Sequence, residues 1–305
     1  MSTSRRSFIR KTAVVLAGSS FLSKQLLAAA SNGYITGIQL YSVRDDMKKD
    51  PLGTLKALAD MGYQYVEHAN YINRKFYGYD AQAFRKVLAD HGLKMLSGHT
   101  VMGRDHWDEN KKDFTDAWKY TVEDAAVVGQ EIVISPWLDA GLRKTYDDMK
   151  RYMDVFNKSG ELCKKSGMRF GYHNHDFEFT SMLNGQTVYD IILNSTDPSL
   201  VTQQLDIGNL YGTGASAMEI IKKHPGRFVS LHVKDEIKSA KSEPTHEGYE
   251  STILGAGVAN TKAITDEGKK TGGTKHFIIE QESYQGKTPL DCAREDLKVM
   301  KSWGY

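Results

Sequence analysis

Several apolar runs of strand type in this 305-residue chain end in groups that bind cations or move protons. Residues 168–179, M-R-F-G-Y-H-N-H-D-F-E-F, carry His173, His175, Asp176 and Glu178. Side chains alternate faces along a strand, so His173 and His175 point the same way. Two imidazoles on one face at a strand end make a metal-binding or acid/base arrangement, or else a pair of hydrogen-bonded surface histidines. Later runs end in Asp206, His232 and Glu280; earlier ones end in Glu67-His68 and in Ser97-Gly98-His99. Imidazole nitrogens combined with carboxylate oxygens suit Zn²⁺, Mn²⁺, Co²⁺ or Fe²⁺. Each residue alone has an ordinary structural role: Asp206 as a cap, His232 as a satisfied core histidine, Glu280 as a lysine's partner. Four such groups closing four different strands favour one divalent ion held by His173, Asp206, His232 and Glu280.

The elements that must position them announce themselves by a repeated phrase. Ala59-Asp60-Met61-Gly62, Ala89-Asp90-His91-Gly92, Ala126-Val127-Val128-Gly129 and Lys164-Lys165-Ser166-Gly167 each precede a short apolar strand. Each reads as a helix end, a glycine able to take the left-handed conformation, then a strand. Repeated helix–Gly–strand joins mean crossover connections and a parallel sheet. Strands are expected over 34–41, 63–67, 93–97, 130–134, 168–173, 201–205, 228–233 and 277–280. Helices between and after them include 111–128, 146–165, 188–193, 215–223, 259–270 and 289–301. Eight of each is the inventory of a single-domain α/β fold, the (β/α)8 TIM barrel. A doubly wound open sheet is the competing arrangement, but Tyr41-Ser42-Val43-Arg44 stands where its Gly-rich phosphate loop belongs. Chemistry in such a barrel sits at the C-terminal strand ends, where all these groups fall. Residues 237–258, polar and glycine-containing, read as an active-site loop.

Residues 1–30 are set apart as a twin-arginine signal peptide, with 31–305 forming the barrel domain. Ser4-Arg5-Arg6-Ser7-Phe8-Ile9-Arg10 precedes a modest apolar region and Ala28-Ala29-Ala30, a cleavage pattern that implies export to a periplasm. The apolar region is broken by Gly18, Ser19, Ser20 and Lys24, so no membrane span is expected. Removing the leader and its five basic residues turns the formal charge of +2 into −3. A slightly acidic surface has no electrostatic footprint for nucleic acid. Two distant cysteines, Cys163 and Cys292, give neither a disulfide framework nor a C-x-x-C site.

Nearly all of the chain beyond residue 30 resembles the xylose isomerase-like TIM barrels, the sugar phosphate isomerase/epimerase group. Ketose 3-epimerases, inosose dehydratases and endonuclease IV belong to the same superfamily. The likeness rests on Y-H-N-H at 172–175, L-D-I-G-N at 205–209, L-H-V-K-D at 231–235, L-G-A-G-V at 254–258 and I-I-E-Q-E at 278–282. It implies one divalent ion bound by Glu, Asp, His and Glu from strands five to eight. The last three fall on Asp206, His232 and Glu280. The first Glu falls on His173, which removes a negative charge and a candidate base. Asn209 stands where the family often has a substrate-binding His, and Lys238 where epimerases carry Arg. His175 matches a frequent family His that faces substrate.

The implied reaction is proton abstraction beside a carbonyl, with charge stabilised on the ion. Ketose epimerases set two glutamates across the sugar; here Glu280 faces His173. The expected activity is therefore a metal-dependent sugar isomerase or epimerase on a small-molecule sugar. Elimination of the aglycone from 3-keto-glycosides is the alternative, with Glu280 as base and His99, His175 or Glu67 as acid. Glu67, Asn209, Lys238 and Trp107 are candidate substrate contacts, with Trp137, Tyr211 and Tyr284 as further stacking rings. Lys234, Lys238 and Lys241 read as solvated lysines or phosphate contacts. A DNA-repair endonuclease would need three zinc ions and a basic face. A non-catalytic sugar-binding barrel and a homo-oligomer stay open.

Overall fold

Eight parallel strands close into a barrel, each leading into a helix on its outside. The architecture is that of a computed structural model, which describes residues 33–239 and 248–305. The leader at 1–30 and residues 240–247 lie outside the described residues. The barrel strands are β1 (Ile35–Gln39), β2 (Tyr65–His68), β3 (Lys94–His99), β4 (Ile132–Ser135), β5 (Arg169–His173), β6 (Val201–Asp206), β7 (Ser230–Val233) and β8 (His276–Ile279). Neighbours in space are neighbours in order, and β8 pairs with β1 to close the ring.

The main helices are α1 (Pro51–Met61), α2 (Ala81–Asp90), α3 (Asp116–Val128), α4 (Tyr146–Lys165), α5 (Val188–Ser195), α6 (Ala217–Lys223), α7 (Thr261–Glu267) and α8 (Pro289–Ser302). Their starts are chemically marked. Asp50 accepts from Gly53 N ahead of α1, with Pro51 at its first position, and Thr145 accepts from Asp148 N ahead of α4. Gly62 and Gly129 end α1 and α3 with φ of 101°, the left-handed cap that the repeated phrase predicts. The apolar faces of the helices meet the strands in a core that includes Leu55, Leu58, Phe84, Trp118, Met153 and Phe156.

Differences from expectation sit at ends and loops. Helix three begins at Asp116 rather than 111, because residues 107–108 and 113–114 pair as a small antiparallel hairpin. The seventh helix stops at Glu267 and passes into one π-helical turn, Gly268–Gly272. The stretch expected as an open active-site loop carries an antiparallel hairpin of Asp235–Lys238 with Tyr249–Thr252. No helix among the described residues is long and apolar enough to cross a membrane.

Candidate metal and active site

Strand register brings the four expected ligands to one mouth of the barrel. His173 and Asp206 end β5 and β6, His232 lies in β7 opposite Asp206, and Glu280 follows β8. One donor atom from each of the four lies within 4.8 Å of the others, and all four residues are buried. Glu280 Oε2 is 3.1 Å from His232 Nδ1, which is 3.5 Å from Asp206 Oδ2. His173 Nε2 is 3.9 Å from the same Asp206 oxygen.

Beneath this set is a polar floor built by the inward-facing residues one layer down. Gln204 sits two residues before Asp206, on the same face, and its Oε1 lies 3.0 Å from His173 Nδ1 and 2.7 Å from His99 Nε2. Its amide donates to Glu67 Oε2 at 2.9 Å and to Ser230 Oγ at 2.9 Å. Gln39 and Ser97 also donate to Glu67, whose Oε1 lies 2.7 Å from His232 Nε2. The far nitrogen of each candidate ligand histidine thus meets an oxygen, which leaves His173 Nε2 and His232 Nδ1 to face the donor set. This outer-shell arrangement is how proteins fix a metal-ligating imidazole.

The residues fit a divalent ion. Asp206 Oδ2 is buried with no hydrogen-bond partner, since His232 Nδ1 and Lys234 Nζ approach no closer than 3.5 and 3.9 Å, which leaves this oxygen a coordination position to offer a cation. The donors are two imidazoles and two carboxylates, a set for a borderline transition ion rather than Ca²⁺.

The carboxylates of the set gather positive charge around them. Burial would depress the His232 pKa, but Glu280, Glu67 and Asp206 outweigh it and hold the imidazole well above its ordinary value. Burial likewise opposes ionisation of Asp206 and Glu280, yet Lys234 and His232 bring both carboxyls below their usual range. His173 goes the other way: burial, then the positive field of His232 and His99, lower it far below an ordinary histidine.

Lys234 is the residue that sequence reasoning undervalued. It is completely buried, not solvated, and donates to Asn209 Oδ1 at 2.8 Å and to Glu282. Its Nζ is 3.5 Å from Glu280 Oε2 and 3.9 Å from Asp206 Oδ2. Gly208 makes room for it, since a Cβ there would stand 2.6 Å from Lys234 Cγ. Period-two spacing was the available signal: Lys234 follows His232 by two, and Glu282 follows Glu280 by two.

A cavity of about 870 Å³ opens over the donor set, and His99, His173, His175, Asn209, Glu280 and Glu282 line its deep end. His175 contributes a neutral imidazole, pushed down to about 4 by burial, whose Nδ1 is buried without a partner. Asn209 bridges Lys234 and His173, with its Nδ2 3.3 Å from His173 Nε2.

Three expected substrate contacts are elsewhere. Glu67 is fully buried in the floor and off the cavity wall, because the inward face of β2 delivers it one layer too deep. Lys238 is exposed on the hairpin after β7 and does not reach the cavity. Trp107 belongs to the small hairpin before α3 and donates to Glu109 Oε2 at 2.7 Å. Of the four proposed stacking rings, Trp137 alone lines the cavity; Tyr211 leans on Tyr249, and Tyr284 donates to the Ser42 carbonyl. Lys241 lies outside the described residues.

Known proteins place this architecture. An inosose dehydratase of Bacillus licheniformis is 24% identical over 206 residues, 62% of this chain and 67% of the relative. One from Clostridium perfringens is 30% identical over 109 residues, about a third of its own length (35%). A sugar phosphate isomerase/epimerase of Parabacteroides distasonis superposes with a TM-score of 0.73 at 25% identity, covering 90% of this chain and 95% of that one. A second from the same organism gives 0.72 at 27% identity, covering 88% and 98%. The profile of the xylose isomerase-like TIM barrel family matches residues 55–303, and the chain belongs to that family.

Proposed function

We propose that the protein is a divalent-metal-dependent lyase that removes a proton α to a carbonyl of a cyclic keto-sugar and expels the β substituent, with 3-keto-glycosides as the substrate class. This reverses the order in which the residue types alone rank epimerisation and elimination. The observation that carries it is the group facing Glu280. Epimerisation by two bases needs one residue to take the proton and another to return it on the opposite face. His173 stands there as a neutral imidazole, its pKa depressed by burial and its Nδ1–H donated to Gln204 Oε1, so its other nitrogen carries no proton to return.

Elimination needs one base. The C2–H bond breaks, its electron pair becomes the C1–C2 double bond, the C1–O bond breaks, and the proton departs on the released alcohol. Glu280 is held ionised by His232 and Lys234 and can accept that proton. His175, neutral on the same cavity wall, can pass it to the leaving oxygen. His173, Asp206, His232 and Glu280 would hold the ion. When bound, the ion supplies Lewis-acid polarisation of the carbonyl and charge for the enediolate. Lys234 is committed to Asn209 and the carboxylates, which leaves it unsuited to gripping a phosphate. The leader read at 1–30 agrees: export would present the enzyme with unphosphorylated sugars.

The likeness to inosose dehydratase supports elimination. Epimerisation is the second reading, favoured by the likeness to the two Parabacteroides distasonis proteins. The deciding experiment incubates the Mn²⁺- or Zn²⁺-loaded protein with a 3-keto-glucoside in D₂O. Release of the alcohol with an unsaturated keto-sugar is expected. Deuterium in recovered sugar without release would establish epimerisation instead. Glu280→Gln should slow turnover about 10²–10⁴-fold.

A further inference from the structure

The far end of the cavity differs in character from its floor. Among the described residues, the exposed large hydrophobics are Tyr41, Leu52, Ile72, Val101, Tyr120, Trp137, Met182 and Val258. Five of these, Tyr41, Ile72, Val101, Tyr120 and Trp137, line this one cavity. Ile72, the most exposed at 61%, stands on a two-residue strand after β2 with no core to join. Exposed apolar side chains gathered on one concave wall mark a binding surface rather than chance.

The wall is held in place. Arg74 grips Asp124 of α3 through two bonds of 2.9 and 2.7 Å, and Tyr71 donates to the same carboxylate at 2.6 Å. The Arg74 guanidinium lies 4.0 Å over the Tyr120 ring. These contacts pin the Tyr71–Phe76 hairpin to α3. Trp137 is braced edge-on by His175 and Phe177, with ring centroids 5.1 and 5.0 Å away. Tyr71, Arg74 and Asp124 are thereby engaged with one another, and the exposed apolar side chains share the cavity wall with Asn70, Asn73 and Thr100. The volume, about 870 Å³, lies near the top of the roughly 300–1,000 Å³ range of ligand pockets. A single sugar ring over the donor set leaves the outer wall uncovered.

We infer that this outer wall is a leaving-group subsite that selects glycosides of planar aromatic alcohols over those of small alcohols or of a second sugar. The inference rests on the lyase reading for its chemistry, but its binding preference can be read without turnover. An aromatic ring would rest against Ile72, Val101 and Trp137 while the keto-sugar ring faces His175 and Glu280. Elimination would release the alcohol toward the open end of the cavity.

Two measurements test it with the full chain. Calorimetric titration with the unreactive phenyl β-glucoside, methyl β-glucoside and cellobiose should show phenyl tighter than methyl by about ten-fold or more, from the apolar area covered. In Ile72→Asn and Val101→Asn, both at exposed positions, that ratio should fall toward unity, with circular dichroism confirming the fold. Equal binding of phenyl and methyl glucosides, tightest binding of cellobiose, absence of binding by all three, or a ratio untouched by both variants would each overturn the subsite. The same ratio in kcat/KM is then taken on 3-keto phenyl and methyl glucosides. If neither releases alcohol, the lyase reading fails, while the titration still decides the subsite.

Discussion

His232 Nε2 lies 2.7 Å from Oε1 of Glu67, a carboxylate with no exposure to solvent at all. The pairing settles which imidazole nitrogen faces outward: Nε2–H donates downward, and Nδ1 is left toward Asp206 and Glu280. A residue off the wall of the cavity thereby orients a candidate ligand above it.

Glu67→Gln is the direct test of that relationship. The amide can still meet Gln39 and Ser97, but it no longer anchors the His232 N–H with a full charge. Affinity for Zn²⁺ or Mn²⁺ should fall about 10–100-fold with the fold retained. Metal titration by calorimetry reads it, and an unchanged affinity would remove Glu67 from the site's design.

Lys234→Met should destabilise the metal-free protein by about 3–5 kcal/mol, because Glu280 and Asp206 lose a buried countercharge. A bound divalent ion supplies positive charge to the same two carboxylates, so the deficit should shrink when Zn²⁺ is present. Urea unfolding with metal and with chelator measures both halves. Equal losses under the two conditions would mean that lysine and ion do not share a role.

His173→Glu supplies the carboxylate that the family resemblance implies at this place. The prediction is a shift in outcome: more deuterium exchanged into recovered substrate for each alcohol released. Mass spectrometry of the sugar in D₂O reports the partition. A partition identical to that of the parent protein would show that the facing residue does not choose between elimination and epimerisation.

Asp296, buried on α8, predicts a pH effect. Burial pushes its carboxyl up to about 7, against the opposing pull of the Leu254 N–H that it accepts. A raised folded-state pKa means that the native state binds more protons than the unfolded chain from about pH 4 to pH 7. Stability contributed by this group is therefore present at the acid end and lost as pH climbs through 7. Asp296→Asn should flatten that slope and leave the protein more stable than the parent at pH 8. Thermal unfolding across pH 4–8 checks the sign; a variant with the parent's slope would refute it.

Much of this was legible before any coordinates. The barrel followed from glycines such as Gly62 and Gly129, since a helix cap before an apolar strand leaves few alternatives. That His173, Asp206, His232 and Glu280 would come together was readable because each lies at or beside the end of a strand, and one rim collects strand ends. What escaped was depth. Glu67 and Glu280 both follow apolar runs, but barrel stagger puts one in the floor and the other on the cavity wall. Lys234 escaped because lysine is ordinarily solvated, and only the space left by Gly208 with the surrounding carboxylates explains its burial. Lys238 was placed by the family resemblance and Trp107 by its position in an expected rim loop, whereas local hairpins turn each of them away.

The donor set has a consequence for assembly, because its members come from four consecutive staves, β5 to β8. A nascent chain lacking its last strand would present three points of attachment at most, so full coordination of a cation would require nearly complete synthesis. Once captured, the ion would act as a rivet across half of the ring, and its slow escape would report opening of that half.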